Sequence, residues 1–324
     1  MPSSVALFAL TASRGFGAKV AAALGQPLAD HEERLFEDGE HKARPLESVR
    51  GRDAYVLQCL HATPDHGVDE RLTRMLFMIA ALKDAGAARI TAIAPYLCYA
   101  RKDRRTKARD PVTTRYVACL FEALGTDRIC VLDVHNIAAY QNAFRIPGEH
   151  LEARRLLAAA MAERIGAAPA VVVSPDSGGV KRAEAFRETL AALLSAEVPL
   201  AFAEKHRSSG VVSGEALIGD VRDRVVVLID DLVSTGTTLM RAGRRCREMG
   251  AVAVHAAATH GLLVGGAPGL LASEDISSIT VTDSVPVPDS LQQNAKLRVV
   301  SVAPLVAEAI RRLHSDGSLV ELNG

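Results

Sequence analysis

The sequence predicts an α/β protein made of two successive halves, each a mainly parallel sheet flanked by helices. Three observations predict it. Short runs rich in Val, Ile and Leu alternate with longer segments of helical periodicity, as in parallel strands joined by crossover helices. Some of these runs, such as 225–229, are apolar throughout, as strands buried on both faces are. The order of elements in the first half recurs in the second, as in a diverged duplication. The 324 residues suit two domains of roughly 100–200 residues each.

In order, residues 5–10 read as a strand, 15–24 as a helix, 31–42 as a polar segment and 54–58 as a strand. The spacing of Leu72, Leu76, Ile79 and Ala80 predicts a helix over 68–85 with one buried face. A strand over 89–94 stops at Pro95, and a basic loop over 100–111 leads to a helix over 113–124. The strand at 128–132 feeds Asp133-Val134-His135. Arg145-Ile146-Pro147-Gly148 is the linker, which divides the chain into domains 1–147 and 148–324.

The second half reads as a helix over 151–165 and a strand over 170–173 that ends in Ser174-Pro175-Asp176-Ser177-Gly178-Gly179. A helix over 181–194, a strand over 199–203, a polar loop over 204–210 and a hairpin through 216–218 follow. Next come the strand at 225–229, a helix from about 235 and strands at 251–256, 278–281 and 297–300. A helix over 302–314 completes the pattern.

Composition removes several function classes. Lys plus Arg and Asp plus Glu each number 38, so there is no basic excess for coating nucleic acid. Aromatic residues are 4% and Trp is absent, which argues against a stacking platform for single strands. The five cysteines are odd in number and none has CxxC spacing, so reduced thiols in the cytoplasm are expected and a structural zinc is not. The run at 5–10 lacks a basic leader and reads as a strand rather than a signal peptide. The apolar stretch 251–272 is broken by His255, His260, glycines and Pro268, so no membrane association is expected.

The chemistry concentrates after the strand at 225–229. Two adjacent carboxylates, Asp230 and Asp231, stand where open α/β sheets bind ligands, at a strand's C-terminal end. Ser234, Thr235, Gly236, Thr237 and Thr238 follow as a small, hydroxyl-rich turn just before a helix. Backbone N–H groups of such a turn bind phosphate, and an acid pair accepts from vicinal sugar hydroxyls. Together they fit a ribose 5-phosphate; the alternative is an ordinary strand, turn and capped helix.

This segment resembles the sugar-phosphate loop of the type I phosphoribosyltransferase fold. Six further segments, in order along the chain, resemble the ribose-phosphate diphosphokinase family. Phe36-Glu37-Asp38-Gly39-Glu40 is similar to its FxDGE segment, and Pro95 to Arg104 to PYxxYxRQD. Asp133-Val134-His135 is similar to DLH, and Val173 to Gly179 to VSPDxGG. Lys205-His206-Arg207 is similar to the KxR pair, and Ile218-Gly219-Asp220-Val221 to IGDV.

The resemblance implies two tandem type I phosphoribosyltransferase-like domains and a Mg²⁺-dependent transfer of the ATP β,γ-diphosphoryl group to ribose 5-phosphate. Lys205 and Arg207 are then the catalytic cations. Phe36, Asp38 and Glu40 form the adenine pocket, with Arg101, Lys102 and Asp103 beside the ATP phosphates. His135 and Asp176 are the metal candidates, and Asp230 to Thr238 hold the sugar phosphate. A homo-oligomer, dimer or hexamer, with the adenine pocket shared between subunits is also implied. Lys102 stands where the family commonly has Gln, and Ser234 to Thr238 depart from its DTxGT form. A regulatory homologue that binds synthetase subunits and a phosphoribosyltransferase are the competing readings.

Overall fold

A computed structural model of the protein describes residues 4–208 and 211–323, except for the side chains of 204–215. Contacts divide the chain into two compact units: the residues up to Glu152 together with those from Val302 onward, and Ala153–Ser301.

The first unit runs β1 (Val5–Ala9), α1 (Arg14–Leu24), β2 (His31–Leu35), β3 (His41–Pro45), β4 (Asp53–Leu57) and α2 (Val68–Asp84). It continues with β5 (Arg89–Ala94), α3 (Thr113–Ala123), β6 (Arg128–Leu132), α4 (Ile137–Ala143) and β7 (Gly148–Leu151). The strands β1, β4, β5, β6 and β7 pair in that order, all parallel. Every residue of β4 is buried, because helices cover both faces of the sheet. Leu72, Met75, Leu76, Ile79 and Leu82 of α2 belong to the resulting core.

Residues 31–42, read from the sequence as a polar segment, contribute instead to an antiparallel hairpin, β2 with β3. The expected linker at 145–148 leads directly into the edge strand β7.

The second unit runs α5 (Arg154–Ile165), β8 (Ala170–Ser174), α6 (Val180–Leu194), β9 (Leu200–Ser208), β10 (Val211–Ile218) and β11 (Val225–Val233). Then come α7 (Thr237–Glu248), β12 (Ala253–Gly261), α8 (Ala267–Ala272), β13 (Ser278–Thr282) and β14 (Leu297–Val300). Its seven-stranded sheet has the order β10-β9-β8-β11-β12-β13-β14. Only the β9–β10 pair is antiparallel among these neighbours. Residues 204–208, expected as a loop, extend β9 because β10 pairs with them.

The last helices, α9 (Ala303–His314) and α10 (Val320–Asn323), fold back onto the first unit. The sequence division had placed them with the second half. Val306, Ala307, Ile310 and Leu313 give α9 a buried face, and α9 packs against α1. Arg311 donates to the carbonyl of Ala23 at 3.2 Å. The His314 imidazole lies 2.9 Å from the Asp53 carboxylate, which also receives Arg89 Nε at 2.9 Å and Nη2 at 2.6 Å. Asp53 has no exposed surface, and this full set of donors offsets the cost of burying its charge. No helix among the described residues is long and apolar enough to cross a membrane.

Candidate active site

β11 lies between β8 and β12, and its first five residues are buried. The strand runs past the expected end at Ile229 to Val233, because Asp230, Leu232 and Val233 pair with β12. Ser234, Thr235 and Gly236 form the turn, and Gly236 is the N-cap of α7. Gly236 has φ +78°, and a Cβ there would come within 2.5 Å of the Leu270 side chain. Both backbone conformation and space therefore require glycine. The turn is pinned from behind by Leu263 N–H to Val233 O at 3.0 Å and Val264 N–H to Ser234 O at 3.1 Å.

The N-cap residue of α7, Gly236, has no side chain with which to cap the helix. Its first N–H groups are thus open to an anion, with the helix dipole in support. The Thr235 and Thr237 hydroxyls are exposed and lie 3.0 Å apart at the same turn. The segment has the parts a phosphate site needs.

Asp230 and Asp231 share one cation, Arg182 in the first turn of α6. Its Nη1 lies 3.3 Å from Asp230 Oδ1 and 3.5 Å from Asp231 Oδ1. Burial and then the neighbouring Asp231 push the Asp230 carboxyl well above the usual carboxylate range, and Arg182 opposes the shift. A second oxyanion close by thus makes a shared proton or a further cation favourable here.

Asp176 stands at the end of β8, next to β11 in the sheet. Its Oδ1 accepts from the N–H groups of Gly178 at 2.9 Å and Gly179 at 3.1 Å. A Cβ on Gly179 would lie 3.7 Å from Arg182 Nη1 and 3.8 Å from Asp176 Oδ1, so these groups converge around one glycine. Asp176, Arg182, Asp230 and Asp231 therefore gather at one end of the second unit's sheet. The backbones of Lys205 and Arg207 lie in β9, paired with Glu215 and Val212, while their side chains fall outside the described residues.

In the first unit, Phe36, Asp38 and Glu40 form the tip of the β2–β3 hairpin. Phe36 N–H donates to Glu40 O at 2.8 Å, and Asp38 Oδ1 accepts from Glu40 N–H at 3.0 Å. Asp38 and Glu40 are exposed, and the Arg34 guanidinium sits 4.9 Å from the Phe36 ring centroid.

Arg101, Lys102 and Asp103 lie between β5 and α3. Arg101 is exposed, whereas Lys102 Nζ is held by Asp110 at 2.5 Å and Thr106 at 3.1 Å. That contact, followed by those of Thr106 and Lys107, takes the Asp110 carboxyl far below its usual range. Asp103 accepts from Asn136 Nδ2 at 2.5 Å. This bond joins the loop after β5 to the one after β6, where His135 is exposed.

The sequence reading missed Arg182 and Asn136. A signal for Arg182 existed: Lys181 and Arg182 occupy the first turn of a helix, where the dipole disfavours cations. Such placement needs nearby anions, and Asp230 and Asp231 supply them.

No cluster of three or more His, Cys, Asp or Glu side chains forms a metal cage among the described residues. Magnesium needs none, since it keeps water and commonly takes one or two carboxylates plus substrate phosphates. Asp176 fits that role: its bonds from Gly178 and Gly179 fall on Oδ1, which leaves Oδ2 for a cation.

Comparison with known proteins gives the same picture along the whole chain. Residues 5–125 match the N-terminal domain of ribose phosphate pyrophosphokinase, and 202–323 match the phosphoribosyl synthetase-associated domain. The ribose-phosphate pyrophosphokinase of Caldanaerobacter subterraneus subsp. tengcongensis is 40% identical over 99% of this chain and 98% of its own length. That of Clostridium perfringens is 39% identical over 93% and 92%. The crystal structure of phosphoribosylpyrophosphate synthetase from Mycobacterium smegmatis superposes with a TM-score of 0.89 at 38% identity. It covers 97% of this chain and 100% of the other, so the fold is the expected pair of phosphoribosyltransferase-like domains. With its fold, turn chemistry and full-length likeness in agreement, the chain belongs to the ribose-phosphate pyrophosphokinase family of enzymes.

Proposed function

We propose that the protein transfers the β,γ-diphosphoryl group of ATP to the 1-hydroxyl of ribose 5-phosphate, in the presence of Mg²⁺. The sugar oxygen forms a bond to the β-phosphorus as the α,β-bridging bond breaks. The products are phosphoribosyl pyrophosphate and AMP, and the hydroxyl proton is released. The observation that carries the reading is the β11–α7 turn, where Asp230 and Asp231 precede a helix whose N-cap residue, Gly236, has no side chain.

The family resemblance supports the following roles. Asp230 and Asp231 accept from the ribose hydroxyls, and the turn from Ser234 to Thr238 binds the 5-phosphate. Arg182 keeps the acid pair partly neutralised until substrate arrives. Asp176 is the metal candidate of the second unit and His135 that of the first; a bound metal would lower the charge repulsion among phosphoryl oxygens. Phe36, Asp38 and Glu40 receive the adenine, while Arg101, with Lys102 and Asp103, meets the ATP phosphates. Lys205 and Arg207 supply cations to the phosphoryl oxygens, where charge builds in the transition state. The enzyme works in the cytoplasm as a homo-oligomer, dimer or hexamer, that shares the adenine pocket between subunits. Its five cysteines are all free thiols, in keeping with that compartment.

The experiment is to supply purified protein with ATP, ribose 5-phosphate and Mg²⁺ and to follow products. AMP and phosphoribosyl pyrophosphate in equal amounts, abolished by chelation, are expected. ADP as the nucleotide product, or no dependence on the sugar phosphate, would refute the reading.

A further inference from the structure

The β2–β3 hairpin that carries Phe36, Asp38 and Glu40 consists of two strands, and such a ribbon is marginal by itself. Besides Ala43 against the core and the edge-on Phe8–His31 ring pair, two contacts tie it to the body of the first unit. His41 stacks on Phe77 of α2, with ring centroids 5.2 Å apart and an interplanar angle of 18°. The other contact is a carboxylate. Glu33, in the middle of β2, has a side chain only 7% exposed. Its Oε1 accepts from Thr11 N–H at 2.5 Å and Thr11 Oγ1 at 2.7 Å, and lies 3.1 Å from His31 Nε2. Its Oε2 lies 3.8 Å from Nη1 of Arg74 in α2.

Arg74 in turn donates to Glu70 from Nε at 3.1 Å and Nη2 at 2.6 Å, and Glu70 is 2.9 Å from His66. Thr11 follows β1 by two residues, at the carboxyl end of the sheet where α/β ligands lie. One side chain thus bonds the hairpin, the end of β1 and α2. Burial raises the Glu33 pKa, but the bonds from His31 and Thr11 outweigh it and bring the carboxyl down to about 2. It is therefore ionised throughout the neutral range.

An apolar residue at this position would also bury the underside of the hairpin, but without direction. A carboxylate with several fixed donors sets an angle, because each bond weakens steeply as it bends. Phe36 lies three residues beyond Glu33, about 10 Å along an extended strand. A small rotation at Glu33 becomes a displacement at the tip.

We propose that Glu33 is a positioning residue for nucleotide binding: its bonds to Thr11 and its pairing with Arg74 set the attitude of the hairpin and so place Phe36, Asp38 and Glu40 against the purine. This role rests on the reading that the hairpin tip receives ATP.

The test compares wild type with Glu33→Leu, Thr11→Val and Thr11→Ser by steady-state kinetics and hydrogen exchange. Glu33→Leu is expected to raise the KM for ATP by roughly tenfold or more, within the ~10²-fold that a misplacement of ~1 Å can cost. The KM for ribose 5-phosphate and kcat should stay within about twofold of wild type. Thr11→Val should move the KM for ATP in the same direction by less, and Thr11→Ser should restore it, since the hydroxyl remains. Exchange should quicken at 31–45 and not across the rest of the unit. Should Glu33→Leu fail to fold, the loss of a single hydroxyl in Thr11→Val carries the test. An unchanged KM for ATP, or equal losses in both KM values and kcat, would overturn the proposal. Wild-type protein that makes no AMP would overturn the function reading and this role with it, whereas active wild type with unaltered variants overturns the role alone.

Discussion

Arg182 Nη1 lies 3.3 Å from Asp230 Oδ1, so the acid pair at the end of β11 is served by a cation 48 residues earlier in the chain. The contact places a positive charge at the start of α6, against the helix dipole. It holds down the pKa of a carboxyl that burial and Asp231 otherwise raise. Removing the cation should raise the Asp230 carboxyl still further, so that it holds its proton to higher pH and is weakened as an acceptor. Arg182→Met is expected to raise the KM for ribose 5-phosphate about tenfold or more, the scale of one charge-assisted bond of ~1.5–3 kcal/mol. The acid limb of its pH profile should move to higher pH. Kinetics with ribose 5-phosphate across pH check this, and an unmoved limb would remove Arg182 from the site.

Asp230→Asn and Asp231→Asn keep the shape but remove the charge. Each should impair the use of ribose 5-phosphate more than ATP binding, by roughly 1.5–3 kcal/mol for one lost charged hydrogen bond. Sugar-phosphate affinity and turnover, measured beside nucleotide affinity, separate the two substrates. Wild-type values for both variants would refute the assignment.

Gly236→Ala meets two obstacles at once, a left-handed φ of +78° and Leu270 within 2.5 Å of the added Cβ. Left-handed backbone costs roughly 1–2 kcal/mol and overpacking typically ~1–3 kcal/mol. Thermal unfolding should register the loss, and the KM for ribose 5-phosphate should rise as the turn shifts. A variant with native stability and native sugar kinetics would show that the turn tolerates a side chain.

Lys205→Ala should lower kcat by at least ~10², a cautious figure beside the ~10³–10⁵ effect of an arginine finger in phosphoryl transfer. Neither KM should change comparably, because the charge matters most in the transition state. Arg207→Ala should act alike, and the double variant should lose less than the product of the two. Near-normal turnover of Lys205→Ala at saturating substrate would take this segment out of the mechanism.

Stability in acid should reflect Glu33 and Asp53. Burial raises the Asp53 pKa, but Arg89 and His314 more than reverse it, so both carboxyls are depressed in the folded state. Their contribution is fully present above the unfolded pKa, near 4–4.5, and is lost as pH falls through the folded value. For Glu33 the window runs from 4.5 down to about 2. Asp53→Asn should lose ~3–5 kcal/mol at pH 7, because Arg89 is left partly buried without its partner. Glu33→Gln should flatten the fall in stability within its window. Melting temperatures from pH 7 to 2 test both.

The sequence made the candidate sugar-phosphate turn legible because its chemistry is local. An apolar strand, two carboxylates, a glycine and a run of hydroxyls are consecutive residues, and β11 and α7 present them as read. It left the β2–β3 hairpin and β7 unread because both are short, polar and partly exposed, with too few apolar residues to mark an alternation. The loop expected over 204–210 proved to extend β9, since strand length there depends on β10 being available to pair. Lys102 reads as a cation beside the nucleotide phosphates, yet Asp110, eight residues on, also holds it.

The sequence by itself determined the alternation of strands and helices and the residues at the strand ends, because propensity, apolar pattern and turn chemistry act over a few residues. Only the tertiary structure decided which of those ends meet. It brought Arg182 to Asp230 and Asp231, joined Asp103 to Asn136, and returned α9 to the first unit, where His314 reaches Asp53. Such contacts depend on surfaces that become neighbours when the sheets form and apolar faces are buried together. No short stretch of chain carries that information.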